Sequence, residues 1–257
     1  MHKLPRIVIA AGVAGYVFLY LPLAVVVAYS FNDSKLNAEW VGFTLNWYRA
    51  LLHNQAMLEA AANSLLIALS ASALSTLLGT MAGFALYRYK LRLLPVLVLA
   101  PVAIPEILMG VSLLLFFVLL NFTLGLTSII LSHVTFCISF VAIVVRSRLA
   151  GSDESLTEAA RDLGATPWRA FLLITLPLIT PGIVAGALMA FTLSIDDFVI
   201  TFFTAGVGAS TLPLQIYSMI KVAVTPEVNA VSTLLMLLTL ILIIIAGKLS
   251  PGVLRAS

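Results

Sequence analysis

Charged residues are scarce in this chain of 257 residues, since only 10% of them are Asp, Glu, Lys or Arg. In an average soluble domain, about a quarter of the residues are charged. Hydrophobic residues make up 61% of the chain, and its mean hydropathy is +1.13. So little charge excludes an ordinary soluble protein, and the composition predicts an integral membrane protein.

Cysteine is almost absent, because Cys137 is the single one, so no disulfide can form within the chain. His133 lies one helical turn before it, but two such side chains do not make a metal site, and we assign both a structural role. The sequence also lacks a phosphate-binding loop, a metalloprotease helix, a nucleophile elbow and a C-x-x-C motif. We therefore expect no enzyme activity and no resident cofactor, and ATP hydrolysis is not expected on this chain.

Six apolar runs are each long enough to cross a hydrocarbon core, which takes about 20 residues of helix. Strands of outer-membrane barrels alternate apolar and polar residues in segments of about ten, whereas these runs are longer and apolar on every side. We therefore expect an all-α, polytopic membrane protein with a single transmembrane domain over residues 1–257. The predicted spans are residues 7–29, 61–87, 93–120, 126–145, 176–203 and 228–247.

The distribution of Lys and Arg predicts the orientation of these spans. With both termini in the cytoplasm, eleven of the 14 basic residues face the cytoplasm, which is a strong positive-inside bias. The net charge of +3 then reflects topology, and no basic cluster indicates nucleic-acid binding. The inner residues are Lys3, Arg6, Arg88, Lys90, Arg92, Arg146, Arg148, Arg161, Arg169, Lys248 and Arg255, and the outer ones are Lys35, Arg49 and Lys221.

The longest predicted outer loop, residues 30–60, is rich in aromatic side chains but too short to form a domain. Aromatic rings anchor proteins at the headgroup level of a bilayer, so contact with membrane lipid is the simplest role. Contact with an external protein is the alternative, and the two roles are compatible. The aromatic residues are Trp40, Phe43, Trp47 and Tyr48.

A polar segment interrupts the apolar sequence between the fourth and fifth predicted spans, on the expected cytoplasmic side. Ser155 and Glu158 have the spacing of a capping box, so we expect a helix to begin here. Gly164 permits the positive φ that commonly ends a helix. The sequence thus predicts a short amphipathic helix within a cytoplasmic loop over about residues 147–176.

The same segment contains a longer pattern, E-A-A, three residues, G, nine residues and I-x-L-P, from Glu158 to Pro177. Here the chain resembles the permease subunits of bacterial ABC importers, which carry this signature in a cytoplasmic loop between two late spans. The resemblance implies that the helix docks in a cleft of a separate ATPase subunit and transmits its closure to the spans. A surface helix that merely links two spans is the alternative. The implied coupling residues are Glu158, Ala159, Ala160, Gly164, Ile174, Leu176 and Pro177.

Further segments, spread over most of the chain, look like the spermidine/putrescine importers, and most like the second of their two permeases. This resemblance implies a multi-pass protein of the bacterial inner membrane. It also implies three protein partners: an ATP-binding ABC subunit, a second permease that is a different chain, and a periplasmic polyamine-binding protein. The segments are residues 30–32, 132–137, 193–197, 216–219 and 226–230.

Three carboxylates, Glu106, Asp196 and Asp197, fall inside predicted spans, whereas no Lys or Arg lies well within one. An ionised Asp at mid-bilayer costs about 2.5–3.5 kcal/mol, so these acids should face a cavity, pair with a cation or be protonated. With straight helices, a rise of 1.5 Å per residue puts Asp196 about 29 Å beyond Pro177 and Glu106 about 21 Å beyond Arg92. The three acids then form an outer substrate path for a polycation, although Asp196 and Asp197 cannot both face one narrow pore. The alternative is that they bond to neighbouring helices and hold the bundle together.

Two other transporter classes stay open. An ABC permease for a different cationic or neutral solute would keep the coupling loop and change only the path. The lack of basic residues within the spans argues against sulfate or phosphate as that solute. An ion-coupled secondary transporter would also use membrane carboxylates, but it would not need the coupling signature. We expect a permease that carries polyamines, driven by ATP hydrolysis on a separate subunit.

Overall fold

The computed structural model describes residues 6–34, 39–89, 92–153 and 155–249, without the side chains of residues 6, 243 and 246–249. Within these ranges the chain is nearly all helical, and the only β-type pairing is an isolated bridge between Asn32 and Phe43. The all-α prediction is confirmed for this part of the chain. Four of the basic residues used for the predicted orientation, Lys3, Lys35, Lys90 and Arg255, lie outside the described residues.

Twelve α-helices and one π-helical turn follow each other in the described ranges. The early helices are α1 (Arg6–Tyr29), α2 (Asn46–Leu51), α3 (Gln55–Arg88), α4 (Leu94–Ala103), α5 (Glu106–Leu119) and α6 (Leu126–Ala150). The later ones are α7 (Ser155–Asp162), α8 (Pro167–Ala170), the π-helical turn (Phe171–Thr175), α9 (Leu176–Ile195), α10 (Val199–Thr204), α11 (Leu212–Ile220) and α12 (Pro226–Leu249).

Four helical segments in the described chain are long and apolar enough to cross a membrane, or five if one bent pair counts as a span. The apolar stretch assigned to α12, Pro226–Leu242, is shorter. Six spans with cytoplasmic termini therefore stay a prediction. The four segments are Ile7–Tyr29, Gln55–Arg88, Leu126–Ala150 and Pro167–Ile195, and the bent pair is Leu94–Ala103 with Glu106–Leu119.

The third predicted span, residues 93–120, is wrong as a continuous helix, because α4 and α5 meet at a bend of 113°. Ile104 is extended at the break, with a ψ of 130°, as expected for a residue that precedes a proline. Pro105 then caps α5, and Glu106 is its first residue. The straight-helix depth predicted for Glu106 is therefore wrong.

The fifth predicted span, residues 176–203, differs at both ends. A continuous helix runs from Pro167 to Ile195 and contains the π-helical turn just before Pro177. Pro177 has no backbone N–H to donate, and such a loss is accommodated by a local change of helical pitch. The helix stops at Asp196, and α10 begins only at Val199. The loop between α6 and this helix accordingly spans residues 151–166, shorter than the predicted 147–176.

The chain divides into two compact units, and the larger comprises Glu59–Leu214 and Thr239–Ser257. Its core lies around α6, which packs against α9, α4 and α10. Close contact with α3 depends on glycine, because a Cβ at Gly79 would lie 2.6 Å from the Cβ of Val141. On the α9 side, a Cβ at Gly186 would lie 3.2 Å from Cγ1 of Val141. Small residues thus let three helices of this unit approach closely.

The smaller unit comprises Met1–Leu58 and Gln215–Leu238. The buried side chain of Asn32 organises its loop, since Nδ2 donates to the Glu39 carbonyl (2.7 Å) and Oδ1 accepts from the Val41 N–H (2.9 Å). Trp47 Nε1 donates to the Asn32 carbonyl at 2.8 Å. Phe43 stacks on Phe31 and is 69% exposed, so the aromatic loop contains both internal hydrogen bonds and a largely exposed ring.

Candidate functional site

The short helix predicted between the fourth and fifth spans is confirmed as α7. It ends at Asp162, and Gly164 follows with a φ of +89°, a left-handed conformation that favours glycine. The Gly164 N–H donates to the Arg161 carbonyl (2.9 Å), and the Ala165 N–H donates to the Ala160 carbonyl (3.0 Å). These bonds close the C-terminus of the helix in the manner of a Schellman motif.

The N-terminus of α7 differs from the predicted capping box. Ser155 is the first helical residue, and its backbone N–H donates to Asp153 Oδ1 at 2.9 Å. Hydrogen bonds from the Ser155 side chain and backbone hold the pKa of the exposed Asp153 carboxyl below its usual range. An ionised carboxylate at this end also complements the helix dipole. The Asp153 carboxylate therefore takes the role that the sequence assigned to the Ser155 hydroxyl.

A cleft of about 250 Å³ lies beside α7. Glu158 and Arg161 line it from α7, and Arg88 lines it from the end of α3, so its wall is both charged and apolar. Of the predicted coupling residues, only Glu158 lines this cleft. The remaining lining residues are Phe84, Tyr87, Leu149, Ser152, Asp153, Thr157, Pro167, Ala170, Phe171, Thr175 and Leu178.

The predicted coupling residues occupy two neighbouring helical segments. The first group, Glu158, Ala159, Ala160 and Gly164, lies on α7 and its closing turn; the second, Ile174, Leu176 and Pro177, lies where the π-helical turn meets α9. Helix α7 contacts both α8 and the π-helical turn. Two large apolar side chains near α7 are exposed, Leu163 by 90% and Trp168 by 67%. The surface around α7 therefore has apolar area that the rest of the described chain does not cover.

Arg148 connects α6 to α9 close to α7, and the sequence did not predict this contact. Its Nε donates to the Leu178 carbonyl at 3.2 Å. A Cβ at Gly182 would lie 2.9 Å from the Arg148 Cβ, so the two helices touch along the side-chain stem. The sequence showed only a basic residue on the expected cytoplasmic side, because the spacing of Arg148 and Leu178 carries no signal of contact.

The predicted path acids meet at two helix ends. Glu106 begins α5, and Asp196 follows the last residue of α9; both are exposed. Asp196 lies close enough to Glu106 and Asp197 to experience their like charge. Asp197 is different, because its side chain is only 7% exposed and its Oδ1 accepts from the Thr201 N–H at 2.8 Å. Asp197 is thus the acid of this group that another residue's backbone N–H binds, whereas Glu106 and Asp196 are exposed.

His133 is the partner of Asp197 that sequence reasoning missed. Its Nε2 lies 3.2 Å from Asp197 Oδ1 and 3.0 Å from Thr201 Oγ1, and its Nδ1 lies 2.7 Å from Ser194 Oγ. The side chain is 2% exposed. A His within an apolar span is itself a sign of a functional contact, and this was the available signal. Among the described residues, no group of three His, Cys, Asp or Glu side chains is arranged to hold a metal.

Known proteins resemble this chain over most of its length. A family model described as "binding-protein-dependent transport system inner membrane component" matches residues 75–255. The spermidine/putrescine transport system permease protein PotC of Escherichia coli (strain K12) is 43% identical over 232 residues, covering 89% of this chain and 88% of the relative. The putrescine transport system permease protein PotI of the same strain is 45% identical over 252 residues, covering 92% and 89%.

A solved structure with the same fold supports the helical arrangement. It is a bacterial ABC transporter involved in the import of the acidic polysaccharide alginate, with a TM-score of 0.69 and 16% sequence identity. The match covers 96% of this chain and 98% of the other. At this level of identity the likeness concerns the fold alone.

Proposed function

The chain belongs to the family of binding-protein-dependent transport system inner membrane components, and we propose that it is the permease subunit of an ATP-driven polyamine importer. It is a multi-pass protein of the inner membrane and makes or breaks no covalent bond in this role. Residues 1–257 are proposed as one permease domain with six spans and cytoplasmic termini. The bent pair of α4 and α5 supplies the third of these spans, and the apolar helix α12 supplies the sixth.

The coupling role rests on one observation above all: the signature from Glu158 to Pro177 lies on an exposed short helix and on the base of the spanning helix that follows. A helix of eight residues closed at both ends is a compact body that another protein can move. The exposed Leu163 and Trp168 offer it an apolar contact. A separate ATPase subunit that binds this surface would move α7 and, through the π-helical turn, the base of α9.

The cargo assignment combines the relatives with the chemistry of the path. The names of the two relatives above give spermidine and putrescine as their transported compounds, and both compounds are polycations. Glu106 and Asp196 are exposed acids at helix ends, and the side chain of Asp197, next in sequence, is largely buried. A bound cation reduces the repulsion between negative charges that are held close together. We therefore assign Glu106, Asp196 and Asp197 to the substrate path, with Glu106 and Asp196 meeting the cation directly.

Three protein partners complete the proposed importer. An ATP-binding subunit supplies the hydrolysis, because this sequence contains no phosphate-binding loop. A second permease, a different chain, completes the transmembrane path. A periplasmic polyamine-binding protein delivers the cargo to the outer side.

The coupling assignment is tested with Glu158→Ala in the complete complex. We expect the binding protein to stimulate ATP hydrolysis at least roughly tenfold less than in wild type, because the variant loses a charged contact worth about 1.5–3 kcal/mol. Uptake should fall in parallel. Asp162→Ala is the matched control, since Asp162 is the last residue of the same helix but does not line the cleft. Normal stimulation and uptake by a fully assembled Glu158→Ala complex would refute the assignment.

A further inference from the structure

His133 joins both sides of the break between α9 and α10. Ser194 belongs to the last turn of α9, and Thr201 belongs to α10. The two imidazole nitrogens contact one hydroxyl each, at 2.7 Å for Ser194 and 3.0 Å for Thr201. One side chain of α6 therefore fixes the distance between the end of one helix and the start of the next.

Asp197 is the second half of this arrangement. Its Oδ1 accepts from both the N–H (2.8 Å) and the hydroxyl (3.0 Å) of Thr201, and the same oxygen lies 3.2 Å from His133 Nε2. Acceptance from a backbone N–H in the first turn satisfies a donor that the helix itself leaves free. Asp197 thus holds the start of α10, and its Oδ1 is occupied by protein donors.

The neighbouring Asp196 is available to bind a cation. It is exposed, and it follows α9 directly, with a φ of −103° and a ψ of 0°. With Asp197 Oδ1 held against His133 and Thr201, Asp196 is the exposed carboxylate of the two at the break between α9 and α10. The orientation of Asp196 is therefore a consequence of how Asp197 is held.

We propose that His133 is a positioning residue of the substrate path, which holds Asp197 at the start of α10 and so presents Asp196 to a transported organic cation. This role rests on the proposed function and adds to it a residue that does not itself touch the cargo. The groups that face His133 are Ser194, Thr201 and Asp197, and together they occupy both ring nitrogens.

Buried pairing of this kind has a recognisable signature in variants. Removing one member of a buried charged pair leaves the other without compensation, whereas removing both members removes that penalty. Substitutions at two residues that act through one shared contact also have effects that do not add up in the double variant. His133→Leu and Asp197→Asn together should therefore impair the protein no more than His133→Leu alone.

The test measures polyamine molecules taken up per ATP hydrolysed, in proteoliposomes that contain the complete complex and radiolabelled putrescine. For His133→Leu we expect this ratio to fall roughly tenfold, the effect of losing a hydrogen bond to a charged group, while ATP hydrolysis stimulated by the binding protein persists. His133→Gln, which keeps a donor and an acceptor, should restore part of the ratio. Thr135→Ala is the control, because Thr135 lies on the same helix, is exposed and donates to the Leu131 carbonyl of its own helix.

A structural role alone would lower uptake and hydrolysis in proportion to the amount of assembled complex. That outcome, or an additive effect in the double variant, would overturn the positioning role. If His133→Leu fails to assemble, Asp197→Asn weakens the same contact from its other side, and an unchanged ratio in that variant would overturn the role equally. Absence of polyamine uptake by the wild-type complex is a separate result, which would overturn the proposed function and this role with it.

Discussion

Asp196 and Asp197 are neighbours in the sequence but have different surroundings. Asp197 is bound by Thr201 and lies beside the buried His133, whereas Asp196 is exposed near Glu106. Adjacent residues on a helix point about 100° apart, and the helix break lets the backbone separate them further. The difference supports the proposed cargo contact of Asp196 and the proposed holding role of Asp197.

Neutralising Asp196 should impair transport without removing the protein from the membrane. For Asp196→Asn we expect uptake per ATP hydrolysed to fall roughly tenfold, because a hydrogen bond to a charged group is worth about 1.5–3 kcal/mol. Proteoliposome uptake of radiolabelled putrescine measures the effect. Asp33→Asn makes the same chemical change at an exposed loop position and should leave the ratio at the wild-type level. Wild-type uptake by Asp196→Asn would show that this acid is structural.

Gly164 provides a test of the closing turn of α7 that involves no steric clash. A Cβ at Gly164 would meet nothing within 4 Å, so only the φ of +89° opposes a side chain. Gly164→Ala should cost about 1–2 kcal/mol in that conformation, and stimulated ATP hydrolysis and uptake should fall together. Gly151→Ala is the control, since Gly151 has a φ of −93° and only ordinary contacts. Equal activity of the two variants would contradict a coupling role for this turn.

The sequence predicted the acids and the coupling signature but not the residues that hold them in place. Glu106 and Asp196 stand out because charge is costly in an apolar span. His133 and Arg148 act through contacts with residues 61 and 30 positions away, at Ser194 and Leu178. Spacing in the sequence carries no signal for contacts of that range, so only the folded chain shows them.

Proline lies at two of the places where the helical elements differ from the prediction, although the break after Ile195 contains none. Hydropathy alone predicts a single span for residues 93–120 and another for residues 176–203. It contains no information on how a proline changes the backbone of a helix. Pro105 turns the first into a pair bent by 113°, and Pro177 follows a π-helical turn that belongs to a longer helix. The prolines were visible in the sequence, but their effect on helix direction depends on packing.

The contact between α6 and α9 should contribute measurably to stability. Arg148→Leu removes the bond to the Leu178 carbonyl, worth about 1 kcal/mol at an exposed site. A loss of that size lowers the Tm of a domain of 150–250 residues by about 2–4 °C. Thermal unfolding of the detergent-solubilised complex measures it. Arg146→Leu, an exposed arginine on the same helix, should change the Tm much less, and an equal shift in both variants would argue against the specific contact.

At the scale of the whole molecule, exposed apolar surface indicates what the chain must meet. The apolar window of α1 buries none of its residues within the chain, so membrane lipid or another subunit covers it. The coupling surface around α7 likewise exposes Leu163 and Trp168. A permease that works within an assembly with an ATPase and a sister subunit accounts for both surfaces.

The energy source of transport tests this account most directly. The measurement is uptake of radiolabelled putrescine and spermidine into proteoliposomes that contain this chain, its sister permease and the ATPase, with the binding protein on the outer side. The account predicts uptake only when ATP is supplied on the ATPase side, with no requirement for an ion gradient. Uptake that runs on an ion gradient without ATP, or ATP-driven uptake of another solute but not of polyamines, would contradict it.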